Sequence, residues 1–121
     1  MTDWDDVDRW LEELRRRHWT LYLFGERHAP TMIAAEYGWP TCTDVLVMSG
    51  HDRAVAYRAP VTQDVHSPSW VHWWYASSAA WTLRAVLTLD PPNGRLLTHI
   101  EAAPPICHVP DDRRPLIIRP T

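Results

Sequence analysis

No lysine occurs in this chain: all twelve of its basic residues are arginine. Set against fifteen acidic residues they leave a net charge of −3 and a sequence pI near 6.1. A domain that lives on phosphate backbones carries a basic surplus or stripe, so nucleic acid is not an expected partner. "RRRHW", Arg15 to Trp19, is the best local candidate for stacking on single strands, but its acidic surroundings and its place at a helix end explain it as well. Exclusive arginine fits either bidentate, ring-stacking contacts at an interface or a GC-rich coding sequence. Glycine is scarce, with four residues and no GxG cluster, which removes the common phosphate-cradling loops. Two cysteines, Cys42 and Cys107, do not make a disulfide framework. No CxxC or HxxxH spacing gathers Cys42, His99, Cys107 and His108 into a zinc pattern, and nothing beside Cys107 activates it as a nucleophile. No metal or cofactor is therefore expected. No run approaches the ~20 apolar residues of a membrane span. The acidic opening "MTDWDDVDRW" does not read as a secretory leader. A cytoplasmic protein with reduced cysteines is the expectation.

What is present is tryptophan and proline. Eleven prolines cut the chain into short elements. The length of 121 residues fits one domain able to bury a core unaided. Residues 3–18 carry Trp4, Val7, Leu11, Leu14 and His18 at three- and four-residue steps, with Trp10 beside them. That spacing predicts an amphipathic helix. Aspartates at its start and Arg15, Arg16 and Arg17 at its end suit the helix dipole.

From Trp19 the period changes to two. "WTLYLF" (Trp19 to Phe24) and "TMIAAEY" (Thr31 to Tyr37) read as strands. "TDVLVM" and "RAVAYRA", Thr43 to Ala59 around "SGHD", predict a β-hairpin. Pro60 to Pro68 is a loop by composition. Ser69 to Leu89 predicts a second, long hairpin, with Val71, Trp73 and Tyr75 on one face and Trp70, His72 and Trp74 on the other. Its second arm, "WTLRAVLTL", alternates with one exception. A helix from Ser78 to Leu89 is the competing reading, with serines to cap it and "DPPNG" to stop it; alternation favours the strand. "RLLTHI" (Arg95 to Ile100) reads as a strand, "APPICHVPDD" as an extended loop, and "RPLIIRP" as a short edge strand. The expected fold is α+β over residues 1–121: an N-terminal helix on a twisted, mostly antiparallel sheet of six to eight short strands, the β-rich part filling 19–119.

The functional expectation comes from "SWVHWWYASSAAW", which holds four of the eight tryptophans in thirteen residues. One helix of this length, ~22 Å by ~10 Å, covers two or three strands spaced ~4.8 Å apart. A ring-laden sheet needs further cover: its own curl, the proline-rich loops, or a second chain. The leading reading is a non-enzymatic interaction module that uses an aromatic sheet face or edge, with itself as a homodimer or another protein as partner. Trp70, Trp73, Trp74 and Tyr75 would anchor it, and Arg58 and Arg84, placed on polar strand faces, would orient the partner. The alternative is a curled sheet around a pocket for a small apolar ligand, with His72 as polar contact or modest acid–base catalyst. Plain core packing of the same rings is the third option.

Overall fold

The computed structural model describes residues 3–26, 29–92, 99–110 and 114–120. Helix α1 spans Asp3–Arg16 and is followed by strands β1 (Thr20–Glu26), β2 (Ala29–Gly38), β3 (Cys42–Gly50) and β4 (Arg53–Pro60). Then come β5 (Trp70–Val71), β6 (Trp73–Ser77), helix α2 (Ala79–Leu87), β7 (Glu101–Ala102) and β8 (Leu116–Ile118). Six strands form one sheet in the order β6-β4-β3-β2-β1-β8, and β5 pairs with β7 in a second, two-stranded sheet. Every pairing among the described residues is antiparallel. The molecule is thus α+β with two helices and an antiparallel sheet.

Helix α1 ends where backbone bonding closes it. His18 takes a left-handed φ of 66°. Its N–H donates to the Arg15 carbonyl at 3.1 Å, and the Trp19 N–H donates to the Leu14 carbonyl at 3.0 Å. This is a Schellman closure, which brings an apolar pair together across the helix end. Leu14 and Trp19 are that pair, and both are buried in one cluster. The helix therefore stops two residues short of the expected His18, and the same closure launches β1.

Pairing register assigns each strand residue to a face. Leu21, Ala35, Leu46, Met48, Ala54 and Ala56 lie on one side with Leu14, Leu83, Val86 and Leu87. Phe24, Ala34, Val45, Val47, Val55, Tyr57 and Ala59 lie on the other with Val71, Cys107 and Val109. Both faces are buried, so β3 and β4 are continuously buried, polar Thr43, Asp44 and Arg58 included, and do not alternate between wet and dry. Of the three kinds of cover foreseen, the proline-rich loops supply the second: Val65, Ala103, Cys107 and Val109 pack over Tyr57 and its neighbours.

The long second hairpin is not formed; Ser69 to Leu89 is corrected to strand, bend, strand and helix. The Ser78 side chain caps α2 by accepting from the Trp81 N–H, and the Ala79 N–H donates to the His51 carbonyl at 2.8 Å. The buried residues of α2 are Ala79, Thr82, Leu83, Val86 and Leu87, a three- and four-residue spacing that belongs to a helix. They settle over Ala35, Ala54 and Ala56, whose small side chains leave room for a helix backbone to approach. The expectation failed because a polar residue, Thr82, faces inward with its hydroxyl unpartnered among the described residues, while apolar Trp81 faces out. The chain also bends at His72, so Val71 and Trp73 join opposite clusters, not the same face. The strand expected at Arg95 to Ile100 lies outside the described residues but for its last two, His99 and Ile100, which are in neither helix nor strand. The edge strand expected in "RPLIIRP" is β8, paired with β1.

Candidate interaction edge

Strand β6 ends the six-stranded sheet: β4 pairs with it on one side, and no described residue pairs with it on the other. Its register sets Arg58 opposite Trp73, Tyr57 opposite Trp74, Ala56 opposite Tyr75, Val55 opposite Ala76 and Ala54 opposite Ser77. Trp73, Tyr75 and Ser77 thus share the face covered by the helices, and Trp74 and Ala76 the face covered by the loops. Trp73 is half-buried against the helix-side core. Tyr75 keeps 36 % of its surface exposed, Trp74 39 %, Trp70 52 % and Trp81 57 %. Trp81, which alternation had placed on a strand face, is the most exposed of these rings, and Arg84 lies over it at 5.5 Å.

The two edges of the sheet differ. Strand β8 is three residues long and bracketed by Arg114 and Pro115 before it and Arg119 and Pro120 after it. Proline and charge are the usual guards against edge-to-edge pairing. Strand β6, "WWYAS", has neither, and its pairing to β4 shows no register shift.

Both arginines expected to orient a partner stand elsewhere. Arg58 is corrected from a solvent-facing position to a buried one: it is 1 % exposed. It faces Asp44 directly across the β3–β4 ladder and holds it through two bonds, Nε to Oδ1 at 2.6 Å and Nη2 to Oδ2 at 2.9 Å. Its Nη1 donates to the Asp90 carbonyl at 3.0 Å, and Trp39 Nε1 donates to Asp44 Oδ2 at 2.9 Å. Every charged atom of the pair is answered, which a buried ion pair requires. Arg84 stands on α2, not on a strand.

His72 sits at the bend between β5 and β6, half-buried, with Nδ1 2.8 Å from the His99 carbonyl oxygen. It lines neither the apolar cavity of about 50 Å³ between Met32, Met48, His51 and Ala79 nor the groove of about 340 Å³ between Trp19, Tyr37, Trp39 and Leu87. The first is far below the ~300–1,000 Å³ of small-molecule sites. Cys42 and Cys107 are both buried. Burial pushes the Cys107 thiol up to about 11, the opposite of what a nucleophile needs. Among the described residues no three His, Cys, Asp or Glu side chains gather as metal ligands, and no helix is long and apolar enough to cross a membrane.

One polar cluster was missed in the sequence. The Tyr22 hydroxyl donates to Glu36 Oε1, and His66 Nε2 lies 2.7 Å from Glu36 Oε2. The Tyr22 and His66 rings meet edge to face at 5.7 Å. Burial works to raise the Glu36 carboxyl, but the bonds from His66 and Tyr22 outweigh it and hold it below the ordinary value. The same bond to Glu36 raises His66. With both carboxylate oxygens engaged, Glu36 acts as an anchor. His66 also accepts the Val109 N–H on its carbonyl at 2.8 Å, so one residue fastens both covering loops to the sheet. Nothing in the local pattern of "DVHSP" signals this, because its partner lies thirty residues away.

No known family model matches the chain, and neither a curated protein nor a solved structure does.

Proposed function

We propose that this protein is a non-enzymatic interaction module that takes a partner strand onto β6. The observation that carries this is the unguarded edge: five residues without charge or proline, ending a sheet whose opposite edge strand is flanked on both sides by an arginine and a proline. Strand addition supplies backbone hydrogen bonds, and side-chain pockets on alternating faces supply selectivity. Trp74, on the loop side, and Tyr75, on the helix side, would grip such a strand from both faces. Trp70 and Trp81, three residues before β6 and four after it, are exposed as well. Tryptophan and tyrosine dominate binding hot spots because they bury much area at little entropic cost.

The test is selection of extended peptides from a displayed library by dilute protein, at which a second copy does not compete. Enriched sequences should alternate large and small side chains, and should lose at least ~10-fold in affinity for a Tyr75→Lys variant. Peptides that bind the parent and the Tyr75→Lys variant alike, or a selection that yields none, would remove the reading.

A further inference from the structure

Resting on that reading, we infer that the strand which β6 takes is β6 of a second copy, antiparallel, with the two-fold axis passing beside Tyr75. The inference comes from the order of side chains along the strand. With Tyr75 opposite Tyr75 of the second copy, Trp73 falls opposite Ser77, and Trp74 opposite Ala76. Each indole meets a small residue on its own face, and "WWYAS" is its own complement when reversed. Directly opposed side chains in an antiparallel pair have Cβ atoms about 4.5–5.5 Å apart, close enough for each indole to cover the small residue that faces it. Centring the pair on Trp74 would set Trp74 against Trp74 and Trp73 against Tyr75, and centring it on Ala76 would set Trp73 and Trp74 against residues beyond the strand; the Tyr75 centre alone pairs all five residues of β6, with large against small at both flanking positions.

Charge and area agree. Self-pairing sets Tyr75 against its own twin and brings Trp74 and Ala76 within two positions of theirs, so a charge near the axis would meet a like charge. There is none. Trp70, Trp74, Tyr75 and Trp81 are between 36 % and 57 % exposed. At roughly 150–250 Å² per ring, they leave roughly 300–450 Å² of aromatic surface per chain. Doubled by symmetry this is roughly 600–900 Å², so the ~1,000 Å² of a specific interface requires all four rings and the strand backbones to take part. The product is an isologous dimer whose two six-stranded sheets run on as one, with β8 and its flanking prolines at each outer edge.

The experiment is sedimentation velocity across a wide concentration series, on the full chain and on Tyr75→Lys, with mild oxidation of a Tyr75→Cys and a Ser77→Cys variant. The parent should pass from monomer to dimer. Tyr75→Lys, which sets two ammonium groups across the axis, should raise the dissociation constant at least ~10-fold. Cysteine at position 75 faces its twin at the shortest cross-strand spacing, which small backbone adjustment brings within disulfide reach, and should cross-link; cysteine at 77 lies four strand positions, roughly 13 Å, from its own and should not. The buried Cys42 and Cys107 serve as the internal control in the parent. The cross-link reports register even where Tyr75→Lys fails to fold. A parent that stays monomeric, or cross-links at 77 and not at 75, overturns this inference. Peptides selected by such a monomer would leave strand addition standing, and their absence would remove both.

Discussion

Arg58 shows how much one residue's placement depends on its partner. Alternation alone assigns an arginine in a strand to the wet face, and Arg58 is instead sealed against Asp44. Two opposite charges facing each other across one hairpin were nevertheless readable: the register that joins Met48 to Ala54 carries Asp44 to Arg58. What the sequence could not supply was the cover above them, Trp39 and the Asp90 carbonyl. The energetics follow from burial. Truncating one member of a buried pair leaves the other charged and unanswered, at about 3–5 kcal/mol, whereas replacing both by apolar groups of similar volume is often neutral or stabilising. Arg58→Ala should therefore lower urea-unfolding stability by that amount, and Arg58→Met joined to Asp44→Leu should recover most of the loss. A double variant no better than the single one would show that the pair stabilises the fold beyond its own desolvation.

At the scale of elements, the hairpin of β3 and β4 and the guarded edge β8 were legible because β-branched runs and prolines act locally. Helix α2 was legible only as the competing reading, serine cap included, because one inward threonine and one outward tryptophan blur a short pattern. The loop between β4 and β5 was placed by composition at Pro60 to Pro68, yet its attachment to the sheet through His66 and Glu36 was invisible. That attachment titrates. Asp64 adds to the field that raises His66, and Arg119 lies within electrostatic reach of Tyr22. His66 is raised in the fold from 6.5, so its contribution is complete below that value and fades as pH rises through the folded pKa. Glu36 is lowered from 4.5, so its contribution is complete above that value and fades as pH falls through the folded pKa. The clasp is thus strongest between 4.5 and 6.5. The stability difference between the parent and a His66→Gln variant, measured by urea unfolding at successive pH values, should peak in that window. A difference that stays level from acid to alkaline pH would mean that the loops are held by packing alone.

At the scale of the whole molecule, one helix cannot shield both sides of a ring-rich sheet, and over most of the area the further cover comes from within the chain. Helix α2 lies over the alanines of one face, and the proline-rich loops lie over the other. The shielding gives out at β6, where the sheet ends on indoles and a phenol in water. Composition made the surplus of tryptophan visible, but which rings remain outside depended on where the chain bends at His72 and turns into α2. If two copies close that edge, association and folding are linked, and the free energy gained grows with concentration by mass action. Each tenfold rise is worth about 1.4 kcal/mol per dimer, half of that per chain, which for a chain of this size moves the midpoint by about 2–3 °C. Thermal unfolding of the parent should climb by that increment for each decade above the dissociation constant, while Tyr75→Lys should unfold at one temperature throughout. A variant whose midpoint climbed in parallel with the parent's would place the self-contact somewhere other than β6, since the one change made sits on the proposed axis.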